Sequence, residues 1–223
     1  LVTPLEQRIF NDAVPGAKSV VLRNGVDLEL FNPNENTPEP GHLVFTGVMD
    51  YFPNIDGCEW FAREILPLIR AEVPEAHFTI VGSKPTPEVK ALASLDGVEV
   101  TGYVDDTRDY LRRAAVSVAP LRVARGIQNK VLEALAMGLP TVGTTSATQG
   151  VEGTPGTDYL VADEAQTFAD EVIRLLQDPA EGRALGDRAR AFVEEKYRWD
   201  HCLSPLDVVL EGIRTTAQDH DPS

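Results

Sequence analysis

The chain has 223 residues, 43 % of them hydrophobic, enough for one large domain or two small ones around a full apolar core. Twenty basic residues face 35 acidic ones, and the formal charge of −15 argues against nucleic acid and anionic membrane surfaces as partners. No apolar run approaches the roughly 20 residues of a membrane-spanning helix, and no signal peptide opens the sequence, so a cytoplasmic location is expected.

Residues 1–17 begin Leu-Val-Thr-Pro rather than with Met, and Glu6–Asn11 reads as a short helix. This stretch is expected to be linker from a preceding domain. Ser19–Leu22 reads as a first strand running into Asn24-Gly25, and residues 33–40 form a polar, proline-rich loop. Leu43–Thr46 is the next apolar strand and ends at Gly47. The following pattern, Ile55–Val73, has Trp60, Phe61, Ile65, Leu68 and Ile69 as the apolar stripe of a helix. His77–Val81 leads to Gly82, Val98–Thr101 to Gly102, Val116–Ala119 to Pro120 and Thr141–Val142 to Gly143, with helical patterns over Pro87–Leu95, Thr107–Ala114 and Ile127–Met137 between them. After Tyr159–Val161 the alternation gives way to consecutive helices, Ala165–Gln177, Ala180–Lys196 and Trp199–Arg214. The last offers Trp199, Leu203, Leu206, Val209, Leu210 and Ile213 for packing, and residues 218–223 read as a disordered tail.

Strands alternating with helices predict a doubly wound α/β domain, a parallel sheet covered on both faces by right-handed crossovers, with extra C-terminal helices. The expected division is linker 1–17, a Rossmann-like unit 18–198, a terminal helix 199–217 and the tail. Ligands of such sheets bind outside the carboxyl ends of the strands, where these glycines sit. Strand-to-helix turns need glycine in any case. Cys58 and Cys202 stand far apart, and His42, His77, His201 and His220 are scattered, so neither a disulfide framework nor a metal site is signalled.

The most informative stretch is 120–144. A basic turn carries Arg122 and Arg125, and Gly126 is read as opening a helix that stops at Gly138. Gly126, Lys130 and Glu133 then stand at i, i+4 and i+7 on one helix face. A glycine at a helix start exposes backbone N–H groups to an anion, and the helix dipole favours negative charge there. Arginines and a lysine add charge for a diphosphate, and a carboxylate one turn on can accept ribose hydroxyls. The competing reading is plain: Lys130 and Glu133 form a surface pair worth ~0.2–0.5 kcal/mol, and Gly126 is only a helix start. Asp105 and Asp106 read as helix caps, Thr144 and Thr145 as caps or ligand contacts, and Asp50 as a turn residue or a partner for a sugar hydroxyl.

Several segments together carry a family resemblance. Val21-Leu22-Arg23-Asn24-Gly25-Val26-Asp27 with Phe31, Phe45-Thr46-Gly47, Phe78-Thr79-Ile80-Val81-Gly82, Val100-Thr101-Gly102-Tyr103-Val104, and Lys130-Val131-Leu132-Glu133-Ala134 with Gly138-Leu139-Pro140-Thr141-Val142 stand in that order. They resemble the C-terminal, donor-binding half of retaining glycosyltransferases built from two Rossmann domains, the GT-B fold. The segment from Gly47 to Asn54, with Trp60-Phe61, looks like bacterial sugar transferases of exopolysaccharide and protein-sorting gene clusters. The resemblance spans roughly residues 18–213.

The resemblance implies a nucleotide-diphosphate sugar as donor, a saccharide or lipid-linked acceptor, and no metal or other cofactor. It implies Glu133 on the ribose, Gly47, Arg122, Arg125, Gly126 and Lys130 at the diphosphate, Tyr103 and Val104 beside the base, and Asp50 and Asn54 near the sugar. Catalytic groups and acceptor contacts would come from the N-terminal domain expected before residue 1, which could also bring the protein to the inner membrane. Two departures stand out. Arg125 occupies the place of the first glutamate of the family's Glu-x7-Glu pattern, and Val48 and Asn54 replace parts of its Gly-Arg…Lys phosphate clamp. Arg125 and Lys130 are expected to take over charge neutralisation. A sugar-nucleotide epimerase of the same architecture and a non-catalytic nucleotide-binding module are the alternatives, while the lack of Gly-x-Gly-x-x-Gly after the first strand weighs against a dehydrogenase.

Overall fold

The computed structural model describes residues 1–218. Six parallel strands, β1 (His42–Thr46), β2 (His77–Val81), β3 (Val98–Gly102), β4 (Val116–Ala119), β5 (Thr141–Gly143) and β6 (Leu160–Val161), form one sheet in the order β3-β2-β1-β4-β5-β6. Every residue of β1 and β4 is buried, which is why these segments are mostly apolar, with only His42, Thr46 and Ser117 polar. The order reverses direction beside β1, so the crevice between the ends of β1 and β4 is the topological switch point at which open α/β sheets bind ligands.

The helix predicted from Ile55 starts earlier and is interrupted. α2 (Phe52–Trp60) has Pro53 in its first turn, where a missing N–H costs nothing. It passes through a π-turn at Phe61–Ile65 into α3 (Leu66–Glu72). The Leu66 N–H reaches back to Phe61 O at this turn, immediately before Pro67, which has no N–H to donate. Phe61 then packs on Phe78 of β2 and on Phe168 of α8 (Ala165–Gln177), with ring centroids 4.5 and 5.8 Å apart. These rings centre the core on that face. Short helices α4 (Pro87–Ala91), α5 (Arg108–Arg113) and α7 (Thr145–Thr148) follow β2, β3 and β5. α6 (Asn129–Ala136) and α9 (Pro179–Lys196) pack together, and Gly186 allows the approach: a Cβ there would sit 2.0 Å from Gly138 O.

Three expectations are corrected. Ser19–Leu22 is not a strand. β1 already has β2 and β4 as neighbours. The 19–22 segment is instead tied to the chain start, the Leu22 N–H donating to Leu1 O at 2.8 Å, and Val26 makes an isolated parallel bridge to Arg198. The first helix, α1 (Pro4–Ala13), is longer than predicted because Thr3 and Glu6 cap it reciprocally. In the terminal helix α10 (Trp199–Gln218), Trp199, Leu203, Leu206, Val209 and Leu210 are exposed rather than packed. The Ile213 side chain and the tail from 219 onward lie outside the described residues. No described helix is long and apolar enough to cross a membrane.

Candidate functional site

A cavity of about 630 Å³ opens at the carboxyl ends of the strands, between the turns after β1, β2 and β3 and the start of α6. Two glycines create it. At Gly47 a Cβ would lie 2.7 Å from Asn54 Nδ2 and 2.9 Å from Lys130 Nζ, so a side chain would occupy the space these groups use. At Gly82, with φ +149, a Cβ would lie 1.7 Å from Gly47 O, so the two strand ends touch backbone to backbone. In the sequence pattern Gly47 carries the diphosphate expectation and Gly82 only marks a strand end. The signal was present, since Gly82 ends β2 as Gly47 ends β1.

Lys130 enters from the first turn of α6, and its surroundings are unusual for a cation. Its Nζ donates to Asn54 Oδ1 at 2.5 Å and stands 4.2 Å over the Phe45 ring, with no carboxylate in ion-pair distance among the described residues. Asn54 is itself buried and donates Nδ2 to Val48 O at 2.8 Å, so its amide is held with the oxygen toward the lysine. Burial pushes the Lys130 pKa down to about 8. Glu133, one turn further on the same face, also lines the cavity, and desolvation raises its carboxyl above the usual range while Lys130 pulls it back. The pair shares a face without forming a closed ion pair.

The other walls come from three elements. Tyr103 and Val104 line the side beyond β3, with Tyr103 75 % exposed at the mouth. Ile127, Gln128 and Asn129 line the entry to α6, which has no side-chain cap and so leaves first-turn N–H groups for an anion. Asn129 Oδ1 accepts from Asn24 Nδ2 at 3.0 Å, and a Cβ on Gly25 would lie 2.7 Å from the Trp199 ring. The Asn-Gly pair therefore braces α6 on one side and takes the turn into α10 on the other.

The remaining predicted residues stand elsewhere. Gly126 does not open the helix: α6 begins three residues later, and Gly126, at φ +66, belongs to the preceding loop, off the cavity wall. Its left-handed backbone cannot continue into a helix, which sequence spacing does not reveal. Arg122 donates to both carboxylate oxygens of Asp56, at 3.0 and 2.5 Å, and lies 5.6 Å from the Trp60 ring. It lines the outer edge of α2 rather than the cavity. Arg125 is exposed and also off the cavity wall. Asp50 pairs with Lys84 at 3.4 Å. Thr144 caps α7 through the Ala147 N–H, and Thr145 donates to Asp163 at 2.6 Å. Asp106 accepts from the Arg108 guanidinium and backbone.

Fold and cavity define a Rossmann-like α/β domain with its ligand crevice at the carboxyl ends of a parallel sheet. The chain belongs to the group 1 glycosyl transferases, whose family model matches residues 40–178. It is 29 % identical over 212 residues to a GDP-mannose-dependent monoacylated alpha-(1-6)-phosphatidylinositol monomannoside mannosyltransferase of Corynebacterium glutamicum, a match covering 86 % of this chain and 55 % of that protein. The chain spans about half the length of the curated relatives it matches. Among solved structures it resembles the pneumococcal O-GlcNAc transferase GtfA in complex with UDP and GlcNAc, with TM-score 0.76, 16 % identity, and coverage of 99 % of this chain and 45 % of that one. It also resembles the C-terminal domain of the glycosyl transferase group 1 family protein LpcC from Francisella tularensis, with TM-score 0.61, 17 % identity, and coverage of 78 % of this chain and 99 % of that domain.

Proposed function

We propose that this chain is the donor-binding half of a glycosyltransferase that moves a sugar, with retention, from a nucleotide-diphosphate sugar to a saccharide or lipid-linked acceptor in bacterial polysaccharide synthesis. The observation that carries this reading is the placement of Lys130 and Glu133 together on one wall of a crevice pinched by Gly47 and Gly82. The likeness to an isolated C-terminal domain of the family and to a UDP-bound transferase supports it. Acceptor contacts and the groups at the reacting carbon belong to a partner half. The exposed apolar side chains of α10, Trp199 foremost, are the surface that would meet it.

Transfer breaks the bond between the anomeric carbon and the diphosphate oxygen, and negative charge grows on the leaving group. A cation already partly desolvated and held in place stabilises that charge with little reorganisation. Lys130 fills this role, with Asn54 aiming it and the first-turn N–H groups of α6 adding their dipoles. Glu133 accepts the ribose hydroxyls. Tyr103 and Val104 flank the base, and Asn54 stands nearest the sugar phosphate. Arg122 is committed to Asp56, so charge neutralisation rests on Lys130.

Calorimetric titration with UDP, GDP and ADP tests the reading. One diphosphate is expected to bind and to weaken by about 1–3 kcal/mol in Glu133→Ala, the effect of losing a hydrogen bond to a charged group. Identical affinity in wild type and Glu133→Ala would remove the ribose assignment.

A further inference from the structure

The amino ends of the strands, opposite the cavity, carry a second constellation. β1 and β2 run parallel with His42 in register with His77. Their imidazoles therefore stand side by side, with ring centroids 4.7 Å apart and planes 11° from parallel. Glu39, in the turn leading into β1, brings Oε2 to 3.8 Å from His42 Nδ1. One ligand-type atom from each of Glu39, His42 and His77 lies within 4.8 Å of the other two. The two histidines lie 35 residues apart in sequence, and only the register of β1 on β2 joins them.

Hydrogen bonding orients both rings. His42 is 1 % exposed, and its Nε2 lies 3.0 Å from Thr79 Oγ1. The Thr79 hydroxyl donates to Glu99 Oε2 at 3.4 Å, so its oxygen accepts from the ring and Nε2 holds the proton. His42 Nδ1 is buried with no hydrogen-bond partner, and the Arg113 backbone lies beside the ring. A group in that state calls for an occupant. His77 Nδ1 faces Glu75 O at 3.2 Å; a carbonyl only accepts, so Nε2 of this ring is the nitrogen free to ligate.

We propose that Glu39, His42 and His77 bind a single divalent transition-metal ion, best matched by Zn²⁺, which clips the starts of β1 and β2 to the turn before β1. Two neutral imidazoles and a carboxylate are a three-ligand zinc donor set with a fourth position for water. The Thr79–Glu99 relay behind His42 is the outer-shell arrangement that orients a ligating histidine. Arg113, donating to both oxygens of Glu39 at 2.8 and 3.1 Å, holds the carboxylate in the same way. Zinc bonds of about 2.0–2.2 Å require the three donors to draw closer. Glu39 and His77 are only partly buried and supply that movement, with the His77 ring tilting out of the stack, while His42 stays anchored. The ion serves the scaffold, since the sheet separates it from the donor cavity.

The test is calorimetric titration of the chelator-treated chain, free of affinity-tag histidines, with zinc chloride near neutral pH. One equivalent is expected to bind. Thr79→Val should weaken it by about 10-fold, and His77→Ala and Glu39→Gln by about 10–100-fold or more. Circular dichroism would verify that each variant is folded, and zinc should raise the melting temperature of the wild type but not of His77→Ala. Absence of one-equivalent binding, or an affinity unchanged in both His77→Ala and Glu39→Gln, overturns the proposal.

Discussion

Two cationic regions flank the path from β4 into α6, and they differ in what surrounds the charge. Arg122 is half in water, bonded through two nitrogens to Asp56 and laid against Trp60. Lys130 has an aromatic face and an amide oxygen for company, and its pKa is pushed down to about 8. A charge already matched by a carboxylate gains little from an incoming anion. A desolvated charge without a counter-ion gains a great deal, because the anion returns what burial removed. The number of cations is therefore a poor guide to an anion site; the degree to which each is left unmatched is a better one.

The comparison predicts opposite consequences for the two sides, and Lys130→Met should give the largest. Diphosphate affinity should fall by about 2–5 kcal/mol, as for truncating one partner of a buried charge pair. Stability should change by less than about 1 kcal/mol, because relief of the half-buried charge is offset by the loss of its hydrogen bond to the buried Asn54. Calorimetry and thermal melts check the two halves, at roughly 2–4 °C per kcal/mol for a chain of this size. A variant that loses both binding and stability would break the argument.

The next effect is pH dependence. In the free protein Lys130 is protonated below about pH 8, and the diphosphate favours that form. Binding is therefore at full strength on the acid side of that value and weakens as pH rises through it, by about tenfold between pH 7 and 9. Titrations across this range check it, and a flat profile would contradict it. The same depression sharpens the stability side. The folded pKa lies below the unfolded value of 10.5, so the unfolded chain binds more protons between about 8 and 10.5, and Lys130's contribution to stability rises across that window.

The smallest effects belong to the arginines. Arg122→Ala should cost about 0.5–1 kcal/mol of stability through Asp56 and Trp60 and leave diphosphate affinity unchanged. Arg125→Ala should change neither by more than about 0.5 kcal/mol. A large loss of affinity in either would restore the basic turn to the site.

Much of the fold was legible because a parallel sheet buried on both faces writes itself as apolar runs ended by glycine. Five of the six strands in the sheet were read to within a residue or two, and the sixth, β6, lies inside the predicted 159–161. Ser19–Leu22 misled because an apolar run says nothing of whether a neighbour is vacant. That Lys130 and Glu133 share a helix face was legible from spacing, and the Tyr103 and Val104 singled out by the family resemblance line the same cavity. The loop position of Gly126 and the tie of Arg122 to Asp56 were not legible, because a left-handed residue and a long-range pairing leave no trace in local spacing. His42 and His77 escaped notice because strand register alone brings them together.

The central claim is that Lys130 is a desolvated cation waiting for an anion. Nuclear magnetic resonance of lysine-labelled protein, following the carbon beside Nζ through a pH titration with and without saturating nucleoside diphosphate, tests it directly. The account predicts a pKa of about 8 in the free protein that moves up when the diphosphate binds. A free-protein value near the ordinary lysine 10.5, or one that the diphosphate leaves unmoved, would contradict it.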